Sequence, residues 1–379
     1  MRWKEWAGCY AVCSYDTCHE PEYFAFRHAA GLIDVSPLFK YDVTGPDAAE
    51  FLSRVMVRNI RKLKPGQVTY CCWCDDEGKV VDDGTVTRFD EDFFRVTAAE
   101  PAWAWLMQFT RGYRVEVMDR TRDIASLSLQ GPNSRAVLQQ TCGSELDRLK
   151  FFRMTPAGFD GFDGVVTRTG YTGDLGYEIW VEAANALRLW DLLMDAGRAF
   201  GIAACGLDAM DVTRVEAGFI MNGVDYFSAH HCLIESRKST PFELGLGWTV
   251  NLKRGPFNGQ EALLRETETG SAWTMVGLDL DWDCYEAVCA RYGLPPQISS
   301  GAWRTGVPVF RKKGKQVGYA TSGAWSPILK KNLALATVKA KHGKPGTALL
   351  FEVTVEYHRH LIPATVVQTP FFDPDRKRS

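Results

Sequence analysis

The sequence predicts an α+β body followed by a small β-rich domain, and three observations carry that reading. The chain has 379 residues, enough for two or three domains with a sizeable core. Up to about residue 270, helical and alternating segments are interleaved. Beyond it, short strand-like runs separated by turn signals take over and helical stretches become few.

The elements follow in order. Residues 22–33 carry apolar side chains at helical spacing and predict a helix with Gly31 as its C-cap. Phe39–Thr44 alternates as a half-buried strand, and Gly45-Pro46-Asp47 breaks it, with Asp47 predicted to cap a helix carrying Ala48, Phe51 and Leu52. After a Lys64-Pro65-Gly66 turn, Val68–Cys74 and Lys79–Phe89 predict a hairpin, followed by a short strand at Phe93–Thr97 and a Trp-rich helix at Pro101–Thr110. Residues 123–130 predict a strand and Ser134–Gln140 a helix; Gly164–Arg168 and Tyr177–Val181 are strands around a glycine-rich bend. Ala184–Phe200 is predicted helical with Leu187, Leu189, Trp190, Leu193 and Met194 inward, and Asp208–Gly218 helical with Gly218 as its cap. Six strands follow: Thr274–Leu280, Pro308–Phe310, Gln316–Ala320, Leu333–Val338, Ala348–Val355 and Pro363–Val367. The charged tail Asp373–Ser379 is expected to fray.

Composition narrows the function classes. With 44 Lys+Arg against 46 Asp+Glu, a net charge of −2 argues against a nucleic-acid-binding face. No apolar run approaches the roughly 20 residues a membrane helix needs, and the N-terminus lacks a signal peptide's apolar region, so a cytoplasmic protein is expected. Eleven Cys residues, an odd number in a long chain, predict reduced thiols rather than disulfides. Cys9, Cys13 and Cys18 with His19 lack the paired C-x2-C knuckles of a zinc site, and Cys71-Cys72-Trp73-Cys74 reads as alternating faces of a buried strand. The adjacent His230-His231 has no third ligand nearby, so no metal is expected.

Three segments point to chemistry. Asp82-Asp83 inside a strand-like run is costly unless one acid is solvated or functional, and alternation puts the two on opposite faces, so that one enters a cleft; an edge position just past the hairpin reads equally well. Arg168 to Glu178 sets three glycines among Tyr and acidic residues, a bend that lets backbone approach a flat polar ligand, or else a tight structural loop. Its spacing fits neither phosphate-loop nor dinucleotide patterns. On the helix ending at Gly218, Asp211 and Arg214 share a face at i,i+3 and predict a solvated ion pair.

Taken together and in order, these segments resemble the folate-binding glycine cleavage T-protein family, which comprises aminomethyltransferases and related demethylases. The resemblance runs through Ala30–Ser36, Val43–Ala48, the Asp82-Asp83 strand, Leu129–Pro132, Arg168–Glu178, Arg214–Gly218, Thr240–Trp248, Phe257–Leu263, Thr321–Gly323 and Lys331–Ala336. It implies a three-domain cloverleaf around a folate channel: a discontinuous first domain (1–50 and 145–265), an inserted antiparallel-sheet domain (51–144) and a C-terminal β-barrel-like domain (266–379). It also implies tetrahydrofolate as cofactor. Asp83 matches the carboxylate near the reacting nitrogens, and Glu178 the acceptor for the pterin's aminopyrimidine edge. Tyr70 and Tyr171 would line the ring site, Arg214 would add a donor, Trp248 would wall the channel, and Leu38 and Thr85 fall at further pocket positions.

The departures from the pattern are on the donor side. The usual His-Met after the serine is Pro37-Leu38, the usual Asn-Ala-x-Asn is Thr97-Ala98-Ala99-Glu100, and the short link after the Arg helix becomes a longer connection through Asn222–His231 to Thr240. Loops set substrate choice on a fixed scaffold. The expected function is therefore a tetrahydrofolate-dependent demethylase taking a methyl group from a small N-, O- or S-methylated donor, with Tyr226, His230 and His231 as candidates for the donor contact; a surface loop reads equally well for these three. The alternatives are an aminomethyltransferase served by a lipoylated carrier protein, and a non-catalytic folate-binding protein.

Overall fold

The computed structural model describes residues 1–143, 145–312 and 314–379. Its largest open sheet has six strands in the order Met154–Phe159, Phe162–Thr167, Gly176–Glu182, Ile124–Gln130, Ala30–Asp34 and Ile202–Ala204. Only the last pair is parallel. Helices Ser134–Thr141 and Ala186–Gly197 drive Val137, Leu138, Leu189 and Leu193 into one core with Leu32, Leu129, Val166 and Ile179. Each such side chain stabilises by about 1.5–3 kcal/mol relative to exposure.

A five-stranded antiparallel sheet runs Val68–Cys74, Val80–Arg88, Phe93–Ala98, Phe39–Thr44, Glu116–Asp119. Its alternation sends Tyr41, Val43, Val86, Phe94 and Val96 against Phe51, Leu52 and Val55 of helix Ala48–Val55. The same alternation splits the cysteines: Cys71 and Trp73 join that core, while Cys72 and Cys74 face a second one with Val57, Ile220 and Tyr226. The C-terminal assembly is a closed six-stranded barrel, Trp273–Leu280 pairing with both Lys331–Lys339 and His358–Val367, so no edge is left open. All six strands expected there are present, five with longer limits and Ala348–Val355 with the same ones. Helix Leu207–Glu216 ties the parts together: Glu216 accepts from Tyr23 and Arg27 of helix Glu20–His28 and from Ser326 of the barrel.

Sheet membership moves the domain limits. Strand Phe39–Thr44, before the expected break at 50, belongs to the five-stranded sheet, and Ile124–Gln130, before the expected break at 144, belongs to the six-stranded one. Register decides this, since Phe39–Thr44 pairs with Phe93–Ala98, and Ile124–Gln130 with Gly176–Glu182.

Several local expectations also change. The first helix ends at His28, and Gly31 lies inside a strand, where a Cβ would sit 2.5 Å from the Phe26 ring. Asp47 occupies its N-cap position, but its carboxylate binds Arg114 instead of the helix. Leu187 is 80% exposed because it falls on the outer face of its helix. The tail is docked: Arg376 pairs with Asp174 at 2.7 Å, and Arg168 donates to the Lys377 carbonyl at 3.2 Å. Gly218 does cap its helix, with positive φ and paired bonds from Gly218 N–H to Val215 and Phe219 N–H to Arg214.

Gly84, next to Asp83, gives the first prediction. A Cβ there would lie 1.9 Å from the Thr97 carbonyl oxygen, a backbone atom that cannot step aside. Gly84→Ala should therefore destabilise the protein by about 1–3 kcal/mol through forced strand separation, read as a lowered thermal midpoint.

Candidate active site

Strand Val80–Arg88 positions both acids, and its register against Val68–Cys74 slips between Trp73 and Cys74, leaving Val81 as an extra residue. Tyr70 donates its hydroxyl to Asp83 Oδ2 at 2.7 Å. Tyr226 donates to Asp83 Oδ1 and lies 3.4 Å from Asp82 Oδ1. Asp82 also accepts from Asn222 Nδ2 at 2.8 Å and from the Glu100 N–H at 3.0 Å. The register keeps the two acids on opposite faces as expected, Asp82 across from Trp73 and Asp83 across from Cys72, yet one Tyr226 hydroxyl lies near both carboxylates.

No ion pair neutralises Asp82 or Asp83 among the described residues. Burial pushes the Asp83 carboxyl up, opposed by its bonds from Tyr226 and Tyr70. Burial, then the charge on Asp83, pushes Asp82 up to about 7, against the pull of Asn222. Burial also raises Tyr70 and Tyr226 well above the ordinary phenol range, so both keep their protons and act as donors.

Of the aromatic groups, Tyr70 binds Asp83 and Tyr171 lies within reach of its charge. Tyr70 stacks on Trp248, ring centroids 6.0 Å apart, and Trp248 is 63% exposed with the Arg58 guanidinium over its face at 5.4 Å. Beside them opens a cavity of about 400 Å³ lined by Tyr70, Trp248, Phe152, Arg58, Lys62 and Arg153. Tyr171 stacks on Phe219 at 5.6 Å and gives its hydroxyl proton to the Ile220 carbonyl; it packs in the same cluster as Leu38. Glu178 rides on strand Gly176–Glu182; burial raises its carboxyl, opposed by the Thr169 hydroxyl and by the charge of Lys40. Lys40, driven down to about 8 by burial, donates to the Ser36 and Leu38 carbonyls at 2.8 and 2.7 Å. Thr85 shares a hydroxyl bond with Thr97 at 2.7 Å.

Two expectations are placed differently. Arg214 is fully buried rather than solvated: its Nε binds Asp211 at 2.7 Å and Nη1 binds Asp225, whose other oxygen takes the Thr321 and Ser322 hydroxyls. Nine of the ten residues of its helix are buried, which leaves no solvated face. Among the described residues Arg214 Nη2 has no hydrogen-bond partner, and it is buried away from solvent. His230 and His231 are exposed, 4.7 Å apart, with His230 edge-on to Trp105. They line a cavity of about 10 Å³ with Asp82, Ser228 and Glu100, on the side of Asp82 and not among the groups around Asp83.

Asn222, Asp225, Lys40 and Arg58 were not singled out by the sequence. Asn222 and Asp225 sit in the lengthened connection, whose departure from the family pattern was the available signal. A planar aminopyrimidine with an anionic tail fits what is present: a half-buried carboxylate at Glu178, aromatic faces at Tyr70, Tyr171 and Trp248, and a cationic rim at Arg58, Lys62 and Arg153.

Known proteins identify the family. Residues 3–254 match the GCVT N-terminal domain and residues 292–373 the glycine cleavage T-protein C-terminal barrel domain. The chain is 35% identical to an aminomethyltransferase of Herpetosiphon aurantiacus, covering 94% of this chain and 91% of that one. It is also 35% identical to a trimethylamine-oxide aldolase of Ruegeria pomeroyi, covering 94% of this chain but 43% of the relative. The solved glycine cleavage system aminomethyltransferase T from Bartonella henselae superposes with a TM-score of 0.83 at 26% identity, over 98% of this chain and 94% of that one. The chain belongs to the glycine cleavage T-protein family of one-carbon transfer enzymes that use tetrahydrofolate.

Proposed function

We propose that this chain is a demethylase that moves a methyl group from a small N-, O- or S-methylated donor to tetrahydrofolate. The observation that carries this reading is the connection from Gly218 to Thr240, which seats Tyr226 and Asn222 directly on Asp83 and Asp82. A folded hydroxyl-bearing loop beside the reacting carboxylate suits a compact donor. The relative named for trimethylamine oxide, a small methylated compound, supports a donor of that size and class. The aminomethyltransferase reading, with a lipoylated carrier as partner, is favoured by the names of full-length relatives.

In this reading tetrahydrofolate supplies the nucleophilic nitrogen. Glu178 accepts from the aminopyrimidine edge, Tyr70, Tyr171 and Trp248 pack on the flat parts, and Arg58, Lys62 and Arg153 meet the anionic tail. Asp83, fixed by two hydroxyls, is placed to take the proton that the acceptor nitrogen loses. Tyr226 gives its hydroxyl proton to Asp83 and so holds that carboxylate in place. His230 and His231 do not enter this set.

The fit makes a second prediction. Charged-acceptor bonds contribute about 1.5–3 kcal/mol each, so Glu178→Gln should weaken tetrahydrofolate binding about 10- to 150-fold by calorimetry with an unchanged thermal midpoint. Unchanged affinity would displace the pterin from Glu178. The reaction itself is tested by mass spectrometry of the folate pool after incubation with a panel of methylated donors, and separately with aminomethyl-lipoyl carrier protein. 5-Methyltetrahydrofolate with one donor is expected. Methylenetetrahydrofolate with the carrier alone would replace this proposal by the aminomethyltransferase reading.

A further inference from the structure

We propose that Tyr226, Asp82 and the small cavity beneath His230 and His231 form a proton path that connects Asp83 to solvent. The proposal rests on the reading of Asp83 as the group that handles a proton during one-carbon transfer. Three observations carry it. The Tyr226 hydroxyl donates to Asp83 and lies 3.4 Å from Asp82, so one oxygen touches both carboxylates. Asp82 in turn lines a cavity of about 10 Å³, the space of a single water, which His230, His231, Ser228 and Glu100 share. Both histidines are exposed to solvent at its mouth.

The environment favours one proton distributed over the pair. Asp82 is faced by Asp83, Tyr226, Asn222 and Glu100, and Asp83 by Tyr70, Tyr226 and, further off, Asp225. Neither carboxylate has an ion-pair partner among the described residues. Two adjacent buried carboxylates without a cation do not both ionise readily. Burial and the charge of Asp83 bring Asp82 to about 7, where it exchanges protons at neutral pH. Transfer inward is balanced: protonated Asp82 gives its proton to the Tyr226 oxygen as the Tyr226 hydroxyl proton passes to Asp83. Transfer outward reverses both movements and leaves the proton on Asp82, from which a water and an imidazole carry it away. The 3.4 Å approach is longer than a strong O–H···O bond, so the transfer requires a small inward movement of the phenol. Asp82 and Tyr226 are positioning and relay residues that act through Asp83.

Tyr226→Phe and Asp82→Asn should each lower kcat about 10- to 100-fold with tetrahydrofolate affinity within about threefold of wild type. Each should flatten the part of the pH–kcat profile near neutrality, and the double variant should be no slower than the slower single one. His230→Gln/His231→Gln should slow turnover at low buffer concentration and recover with added imidazole. A proton inventory in mixed H₂O and D₂O on the wild-type protein should be curved, as more than one proton moves together, and this readout needs no variant to fold. A linear inventory, an unshifted pH profile in Tyr226→Phe, or losses that multiply in the double variant would reduce Tyr226 to a loop anchor and overturn the path. Full turnover in Asp83→Asn would instead overturn the underlying reading of Asp83, whatever the relay variants do.

Discussion

Asp83→Asn is expected to lower turnover by about 10²–10⁴-fold, the range for loss of a positioned acid–base group, with tetrahydrofolate affinity within about threefold. The substitution keeps the shape and one acceptor oxygen, so Tyr70 or Tyr226 can still donate to it. What disappears is a carboxylate that burial, with no cation beside it and against the pull of two hydroxyls, leaves basic enough to take a proton. Steady-state kinetics with a productive donor, alongside calorimetric binding, separates the two quantities. A variant that binds and turns over normally would exclude Asp83 from the chemistry. A variant that loses both equally would make it a binding group.

Arg214→Met is expected to cost about 3–5 kcal/mol of stability, the usual penalty for leaving buried charges without their partner. Asp211 would retain Arg304 at 2.7 Å, but Asp225 would keep only hydroxyl and backbone donors from Thr321, Ser322 and Met221. Because Asp225 lies in the same connection as Tyr226, the loss should spread to the donor side. Arg214→Lys should recover little, since a single ammonium cannot span Asp211 and Asp225 as the guanidinium fork does. Thermal unfolding measures the effect. If Arg214→Met unfolds like wild type while losing folate affinity, the guanidinium serves mainly the ligand.

How much of this was legible in the sequence depends on the distance over which residues interact. The barrel strands could be read because alternation and turn residues are local. The hairpin formed by Arg2–Trp6 and Cys9–Ser14 could not, since the first strand is largely exposed and neither shows a clean alternation of buried and exposed positions. Helix Trp282–Ala290 is built from poor helix formers such as Trp, Cys, Tyr and Val, and its surest mark was its cap, Asp281, which accepts the Cys284 N–H at 2.8 Å. In the site, Asp83 stood out because acids in strands need a reason, and Glu178 because it closes a glycine-rich bend with tyrosines. Their roles came from the family resemblance and not from spacing. The Asn222–Asp82 bond joins residues 140 positions apart, which no local pattern reveals. The same holds for Asp225, which looked like an ordinary loop acid until the fold placed it against Arg214.

The central claim, transfer of an intact methyl group, is tested most directly with donors carrying a trideuteromethyl group. The wild-type protein, tetrahydrofolate and each labelled donor would be incubated together and the folate product weighed by mass spectrometry. The account predicts 5-methyltetrahydrofolate retaining all three deuterons. A product retaining only two, at the methylene level, would show that the carbon is not passed as methyl and would contradict it.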